Sequence, residues 1–409
     1  MTSANRRRIL VVHLDSIFPK VMASQDTVFK MVCRLAVDHD VDIATTVRDQ
    51  TELDESRQRF AGVCRAFHPI VPVNPATSQI RRKLRRLQFH VYNRLFGYPH
   101  HYFYAGRPSV MRQLAALVAE QRYDVVQAEY WYMGQLFDRI DRSIFKTIDT
   151  HDVLSDKLRQ EAHQAYGDLL PHSVVRALET YRRLEADCLR KADLVVAVSE
   201  PDQRAFRTLA LRRDPMLVTV GQDLEYFKPQ PTVQQEKAVL FYGSMGGEQN
   251  IHAFFRFWKG IFPAIKAAVP GVRLYIVGAN PPEQIRRLAD GERVVVTGFV
   301  DDVRPYIARC AVCVIPLDVA AGFRSRTVEV MGMGVPVIGT HMALDSVGLA
   351  HGSQGFIADD DAGMAEHAVH LLLDAELNCA IGREGRRFVE QRYSIEATIG
   401  RLSRFYQQL

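Results

Sequence analysis

The chain has 409 residues, of which 47% are hydrophobic and 24% are charged, and its net charge is +5. These values are typical of globular proteins, and the charge excess is too small to indicate a nucleic-acid partner by itself. No apolar run approaches the roughly 18 residues of a membrane span. At about 150 residues per domain, the length predicts two domains.

The six cysteines indicate a reducing compartment and not a disulfide framework. Cys310 and Cys313 form a C-x-x-C motif, but RCAVCVIPL looks like the end of a helix running into a buried strand, so we interpret them as packing thiols. The first apolar run is interrupted by His13 and is too short for a signal peptide. We expect a cytoplasmic protein, with the inner face of the cytoplasmic membrane as the alternative location.

Short β-branched strands alternate with helical patterns along the chain. The first half contains the strands RILVVHL, VDIATTV, DVVQAE, FKTIDT and ADLVVAVS, with helical spacing over residues 24–40. The pattern restarts in the second half with AVLFYGS, VRLYIVGA, RVVVTGF, AVCVIPL and VPVIGT. Because these strands are apolar on both faces, they predict parallel sheets covered by helices on both sides.

The segment GQDLEYFKPQPTVQQEKA, which contains Pro229 and Pro231, is the best linker between the halves. We therefore predict an α/β protein with two doubly wound, Rossmann-like domains, residues 1–222 and 223–392, that face a cleft. Residues 393–409 predict a last helix with Ser394 as its N-cap and one apolar stripe at positions 395, 399, 402 and 405.

The stretch AAGFRSRTVEVMGMGVPVIGT follows a predicted strand of the second half. A short helix is predicted over Thr327–Met333, which puts Arg324 and Arg326 at its N-terminus. Helix dipole, free amides and guanidinium groups together favour an anion with several oxygens, such as a diphosphate. Glu329 could accept hydrogen bonds from ribose hydroxyls. The alternative is a surface ion pair between these arginines and Glu329.

The loop in FYGSMGGEQN offers Gly243, Gly246 and Gly247 after a buried strand, which allows close backbone approach to a phosphate or sugar. It is not a Walker loop, because no G-K-[ST] follows. A plain strand-to-helix turn is the alternative.

In the first half, His151 and Asp152 follow the strand FKTIDT, where a histidine could bind a substrate hydroxyl or shuttle a proton. Asp149 or Asp152 could fix its tautomer, and a purely structural histidine is the alternative. The stretch EYWYMG offers Glu129, Tyr130 and Trp131, an aromatic shelf that could stack a sugar ring or an isoprenoid tail. Core packing of these aromatic residues is an equal alternative.

Neither acidic cluster, VDHDVD or ADDDAG, has metal-ligand spacing in a loop at the carboxyl end of a strand, so we predict no metal site. Residues 81–103 begin with five basic residues at positions 81–86 and have an apolar helical face at Leu84, Leu87, Val91 and Leu95. This segment could lie on an anionic membrane surface, or it could be a solvated helix end.

Five segments follow one another in a specific order: ADLVVAVSEPD, VLFYGSM with Asn250, LYIVGANPPE, VVVTGFVDDVRPYIARCAVCVIPL and GFRSRTVEVMGMGVPVIGT. With this ordered set, the chain resembles the GT-B glycosyltransferases of the retaining GT4-like family, the glycosyl transferases group 1. The resemblance spans almost the whole chain. It implies an N-terminal acceptor-binding domain, a C-terminal nucleotide-sugar-binding domain, and a last helix that crosses back to the first domain.

By this resemblance, Glu329 matches the carboxylate that binds the donor ribose, and Arg324 and Arg326 match a basic pair for the diphosphate. Gly243 and Ser244 match the loop near the phosphates, and Phe299 and Val300 match the segment that holds the base. His151 matches the histidine near the transferred sugar. The chain departs from the family pattern at Ala321, where a second carboxylate is common, and in LDSIFPKVMASQ, which contains no glycine.

We expect a hexosyltransferase that moves a sugar from a UDP-, GDP- or ADP-sugar to a hydroxyl of a polysaccharide, a lipid-linked acceptor or another glycan precursor. A front-face route with retention, without metal or other cofactor, agrees with these residues. The alternatives are a non-catalytic nucleotide-sugar-binding homologue or scaffold, and a nucleotide-sugar epimerase or hydrolase on the same fold.

Overall fold

The computed structural model describes residues 6–18, 23–71, 88, 89, 91, 99–151, 153–318 and 323–409. The chain divides into two compact units, one formed by Met1–Thr219 with Thr398–Leu409 and the other by Val220–Ala397. The boundaries predicted from the sequence lie after residues 222 and 392.

The first unit is built on a parallel sheet whose described strands have the order β3-β2-β1-β4-β5-β6-β7. The strands are β1 Arg8–His13, β2 Asp40–Thr46, β3 Ala66–Ile70, β4 Val125–Glu129, β5 Phe145–Asp149, β6 Leu194–Ala197 and β7 Met216–Leu217. The connecting helices are α1 Ala23–Asp38, α2 Gln50–Phe60, α3 His100–Ala105, α4 Pro108–Gln121, the 3-10 helix Trp131–Arg139, α5 Leu154–Tyr166, α6 His172–Leu189 and α7 Glu200–Arg207.

The second unit repeats this plan with a parallel sheet of order β10-β9-β8-β11-β12-β13. Its strands are β8 Ala238–Tyr242, β9 Arg273–Val277, β10 Val294–Gly298, β11 Val312–Ile315, β12 Val337–Gly339 and β13 Phe356–Ile357. Its helices are α8 Glu248–Arg256, the π-helix Phe257–Ile261, α9 Phe262–Ala268, α10 Glu283–Arg286, α11 Arg304–Arg309, α12 Ser325–Gly332, α13 His341–Leu344, α14 Asp361–Leu373 and α15 Ala375–Tyr393.

The strand order reverses direction beside β1 in the first sheet and beside β8 in the second, as expected for doubly wound folds. The predicted α/β class with two Rossmann-like sheets is therefore confirmed. Cys310 and Cys313 are buried free thiols, as the sequence predicted. Among the helices of the described ranges, none has the length and apolar character that crossing a bilayer requires.

The last helix, α16 (Ile399–Gln407), belongs to the first unit, as the resemblance implied. Tyr406 is completely buried there, and Ser403 Oγ donates to Asp38 Oδ2 of α1 at 2.7 Å. The predicted N-cap was wrong, because α16 begins after Thr398. Ser394 instead ends α15 in an extended conformation, and its hydroxyl accepts from the Ala397 amide at 3.1 Å.

The amphipathic face predicted over residues 81–103 falls mostly outside the described residues. Leu84, Leu87 and Leu95 are among those not described, and Val91 is 44% exposed. The membrane-surface hypothesis for this segment stays a prediction.

Candidate active site

The carboxyl end of β8 begins the candidate site of the second unit. Gly243 follows the strand, and its amide donates to the Val277 carbonyl of β9 at 3.0 Å. A Cβ at Gly278, which has φ of +154°, would lie 1.8 Å from the Gly243 carbonyl oxygen. Only glycine allows the two strand ends to approach so closely.

The loop after β8 is held by the first turn of α8. Asn250 Nδ2 donates to the Ser244 carbonyl at 2.7 Å, and the Met245 amide donates to the Ala279 carbonyl at 2.8 Å. A Cβ at Gly243 would lie 3.8 Å from Nη1 of Arg326. The structure therefore brings Gly243, Ser244 and Asn250 beside one of the two predicted anion-binding arginines.

Arg324 caps the N-terminus of α12, which begins at Ser325, two residues before the predicted Thr327. The side chain is partly buried, and its Nε and Nη2 atoms are buried without a hydrogen-bond partner among the described residues. Burial, and secondarily the charge of Arg326, lowers the pKa of the Arg324 guanidinium. A cation that is desolvated without a counter-charge costs free energy, so this geometry favours a bound anion.

Glu329, on the second turn of α12, is oriented by β8. The Tyr242 hydroxyl donates to Glu329 Oε2 at 2.9 Å. Burial, followed by the charge of Glu329, raises the pKa of Tyr242 well above its usual range, so its hydroxyl remains a donor. Arg326 is exposed, and its guanidinium carbon lies 5.6 Å from the Tyr242 ring centroid.

The ion-pair alternative for this loop is not observed. Within the described part of the chain, neither Arg324 nor Arg326 pairs with a carboxylate. Ala321, where a second carboxylate is common in the family, lies outside the described residues.

The segment expected to hold the base follows β10. Phe299 is 75% exposed, whereas Val300 is partly buried and packs against the core of the second unit. An exposed aromatic ring at the carboxyl end of a strand can stack on a planar base.

In the first unit, three polar side chains occupy matching positions on adjacent strands. Val12 pairs with Ala128 and Glu129 pairs with Asp149, so His13, Glu129 and Asp149 project from one face at the carboxyl ends of β1, β4 and β5. The three side chains are buried. Of these, His13 was not identified from the sequence as a candidate, although it follows the same strand-end rule.

His151 completes this cluster. Its Nε2 lies 2.7 Å from Glu129 Oε2, and its backbone amide donates to Asp149 Oδ1 at 3.4 Å. The ring partner is thus Glu129, not Asp149. His151 and Tyr130 both have positive φ, 61° and 69°, and their ring centroids lie 4.4 Å apart. Such backbone strain concentrates at functional sites. Asp152 lies outside the described residues.

Burial dominates the electrostatics of this cluster. It raises the pKa of Asp149 to about 7, with His151 opposing and Glu129 reinforcing the effect. Burial also lowers the pKa of His13, whose Nε2 has no hydrogen-bond partner among the described residues. A site with these properties can exchange protons near neutral pH.

The same cluster could hold a cation, which the sequence did not predict. One ligand atom each from Glu129, Asp149 and His151 lies within 4.8 Å of the others. However, Glu129 and His151 are already hydrogen-bonded to each other, so a metal ion would have to replace that bond. The arrangement present therefore fits hydrogen bonding and proton transfer better than ligation.

Of the two interpretations of EYWYMG, core packing holds for Trp131, whereas Tyr130 is half-buried and its ring lies against His151. Trp131 is completely buried in the core of the first unit, which is the alternative considered from the sequence. Glu129 is also completely buried, and it contacts His151 and Gln127. The sequence could not reveal this, because burial of a strand-end aromatic depends on the helices that cover it.

A cavity of about 490 Å³ lies at the opposite edge of the first sheet, near the amino ends of β5 and β6. It is lined in part by Phe145, Asp193 and Arg212. Because ligands of doubly wound sheets bind beyond the carboxyl ends of the strands, it is not part of the candidate site.

Comparison with known proteins gives two family matches. The model described as "Glycosyl transferase 4-like domain" matches residues 25–220, and "Glycosyl transferases group 1" matches residues 236–374. The chain is also similar to the N-acetyl-alpha-D-glucosaminyl L-malate synthase of Bacillus anthracis, with 27% identity over 308 residues, which are 64% of this chain and 81% of the relative.

Two solved structures share the fold over nearly the full length. Sucrose-phosphate synthase from Thermosynechococcus elongatus has a TM-score of 0.64 at 19% identity, covering 98% of this chain and 99% of that one. Anabaena HepE in complex with UDP has a TM-score of 0.67 at 16% identity, covering 98% of this chain and 100% of that one.

Proposed function

Because the chain belongs to the GT4-like glycosyltransferases of GT-B fold, we propose that it transfers a hexose from a nucleoside-diphosphate sugar to a hydroxyl of a glycan or glycan precursor. The UDP complex of HepE and the N-acetylglucosaminyl relative support a nucleotide-sugar donor. The proposed donor is a UDP-, GDP- or ADP-sugar.

The observation that carries this proposal is the partly buried guanidinium of Arg324. Its Nε and Nη2 atoms have no partner among the described residues. Arg324 occupies the N-cap position of α12, where backbone amides and the helix dipole also favour an anion. A diphosphate supplies the several oxygens that such a site can bind.

The chemistry requires stabilisation of the leaving diphosphate. As the anomeric bond breaks, negative charge grows on the diphosphate, and Arg324, Arg326 and the α12 amides would stabilise it. Glu329, oriented by Tyr242, would accept hydrogen bonds from the ribose. Gly243 and Ser244 would allow the backbone to approach the phosphates.

These positive groups at the diphosphate make a metal ion unnecessary in the proposed reaction. We propose retention of configuration by a front-face route, in which a leaving phosphate oxygen takes the acceptor proton. His151 would donate or accept a hydrogen bond at the sugar or the acceptor hydroxyl. From the cysteine content, we also propose a cytoplasmic location.

The first test is a thermal-shift screen of nucleoside diphosphates and nucleotide-sugars. A ligand at 100 times its Kd adds about 2.7 kcal/mol to the free energy of unfolding, which raises Tm measurably. The stabilising nucleotide-sugar, labelled in the sugar, is then incubated with and without a glycan acceptor pool. Label in the acceptor pool supports the transferase. An isomer formed without acceptor indicates an epimerase, and tight binding without transfer indicates a non-catalytic homologue.

A further inference from the structure

A chain of side-chain hydrogen bonds connects the C-terminal helix with His151. The Tyr406 hydroxyl of α16 donates to Gln127 Oε1 at 2.9 Å. Gln127 Nε2 donates to Glu129 Oε1 at 2.8 Å, and Glu129 Oε2 faces His151 Nε2 at 2.7 Å. All three residues that lead to His151 are completely buried, namely Tyr406, Gln127 and Glu129.

We propose that Glu129 is a positioning residue for His151, and that Tyr406 and Gln127 hold Glu129 in the orientation that His151 needs. The inference rests on the proposed function, which gives His151 a substrate to act on. It adds that the last helix acts on His151 through Gln127 and Glu129, in a positioning role.

The amide orientation of Gln127 is determined by its neighbours. Its Nε2 faces two acceptors, Glu129 Oε1 and Met31 Sδ, while its Oε1 faces the Tyr406 donor. The reverse orientation would place the amide NH2 against the Tyr406 hydroxyl and the amide oxygen against the carboxylate. The direction of hydrogen bonding along the chain is therefore fixed, and each oxygen of Glu129 faces a donor.

This arrangement selects one tautomer of His151. A carboxylate oxygen at 2.7 Å from Nε2 places the proton of the neutral ring on Nε2 and makes Nδ1 the basic nitrogen. The same carboxylate favours the protonated ring. A buried carboxylate that orients a histidine in this way is a recurring device in catalytic and metal sites.

Other titratable groups also surround His151, and each is fixed by the same scaffold. Asp149 on β5 accepts from the His151 amide, His13 on β1 interacts electrostatically with Glu129 and His151, and the Tyr130 ring lies against His151. The charge of Glu129 also acts on Asp149 and His13. Tyr406→Phe removes no charge, so a change in His151 titration in that variant reports on the hydrogen-bond chain.

The matched control is Tyr123. It is 4% exposed, lies in the same unit, and its hydroxyl also donates to a side chain, Asp42 Oδ2, at 2.5 Å. Tyr123→Phe and Tyr406→Phe each remove one buried hydroxyl while the ring remains. Only Tyr406→Phe interrupts the chain of hydrogen bonds to His151.

The test is NMR of protein with 15N-labelled histidine, titrated over pH without substrate, with His151→Gln to identify the signal. We expect wild type and Tyr123→Phe to show His151 as the Nε2–H tautomer. In Glu129→Gln, His151 should titrate about one pH unit lower, because a favourable negative charge is removed. Tyr406→Phe, which keeps the ring and removes no charge, should shift the titration in the same direction by less.

An Nδ1–H tautomer in wild type, or unchanged His151 titration in Glu129→Gln, overturns the assignment of Glu129. A Tyr406→Phe spectrum identical to that of Tyr123→Phe overturns the role of the helix. These readouts need no turnover, so they are independent of the proposed function. With an active enzyme, Glu129→Gln should also lower kcat about tenfold while the Kd of nucleoside diphosphate is unchanged, and should move the acidic limb of the pH–rate profile to lower pH.

Discussion

Tyr242, at the end of β8, donates its hydroxyl to Glu329 on α12 at 2.9 Å. This hydrogen bond joins two residues that are 87 positions apart in the sequence. It orients the carboxylate proposed to bind the donor ribose. The sequence identified Glu329 but not Tyr242, which reads simply as the last residue of a buried strand.

Tyr242→Phe tests this relationship. Without the hydroxyl, Glu329 loses a hydrogen bond worth about 1 kcal/mol and a fixed orientation, so the Kd of nucleoside diphosphate should rise about 3- to 10-fold. Calorimetric titration measures this. The control is Tyr275→Phe, because Tyr275 donates to Glu236 at 3.0 Å in the same unit, near the amino end of β8. Equal affinities in both variants would exclude an orienting role for Tyr242.

The two glycines at the ends of β8 and β9 should respond differently to alanine. Gly278→Ala forces a Cβ to 1.8 Å from the Gly243 carbonyl at a φ of +154°, so we expect a loss of more than about 3 kcal/mol in unfolding free energy. At Gly243, the nearest atom to a new Cβ is Asn250 Nδ2 at 3.4 Å, an ordinary contact. Gly243→Ala should therefore fold with near wild-type stability.

Nucleotide binding distinguishes the roles of these glycines further. The new methyl group of Gly243→Ala lies 3.8 Å from Arg326 Nη1 and occupies space that a phosphate would use, so affinity for nucleoside diphosphate should fall severalfold. Urea denaturation and calorimetry measure the two quantities separately. A stable Gly243→Ala variant with wild-type affinity would show that the loop is only a strand-to-helix turn.

Asp149 should make stability depend on pH. Burial raises its pKa to about 7 in the folded protein, whereas in the unfolded chain it is about 4. Between these values the folded state binds more protons, so its stability decreases as pH rises, and the full penalty of a few kcal/mol is present above pH 7.

Asp149→Asn removes this penalty. We expect the variant to be more stable than wild type at pH 8, with the difference vanishing towards pH 4, as measured by urea denaturation across that range. Asp54→Asn, a change of an exposed aspartate in the same unit, should show no such trend. If Asp149→Asn were equally destabilising at pH 4 and pH 8, the carboxylate would be ionised in the folded protein throughout.

Most strands could be predicted because buried parallel strands are continuous apolar runs. The edge strand β3 was missed because it contains Pro69, which only an edge strand tolerates. The strands β7 and β13 were missed because they have two residues each. Ser394 resembles an N-cap in the sequence because it precedes an apolar stripe, yet four residues of turn separate it from α16.

The site residues of the second unit could be placed because Gly243, Arg324 and Glu329 follow strands within short, distinctive stretches. The partners of His151 could not. Glu129 is 22 residues away and Tyr406 lies on the last helix, so their contacts depend on strand register and on where α16 packs. Local sequence carries no signal for either.

The most direct measurement is the calorimetric Kd of nucleoside diphosphate for Arg324→Gln, together with its Tm without ligand. We predict a Kd at least tenfold higher than wild type, because a charge-assisted contact is lost, and a Tm equal to or above wild type, because a desolvated charge is removed. Arg287→Gln, which removes an exposed arginine paired with Glu283, should leave the Kd unchanged. Wild-type affinity in Arg324→Gln would contradict the proposed diphosphate site.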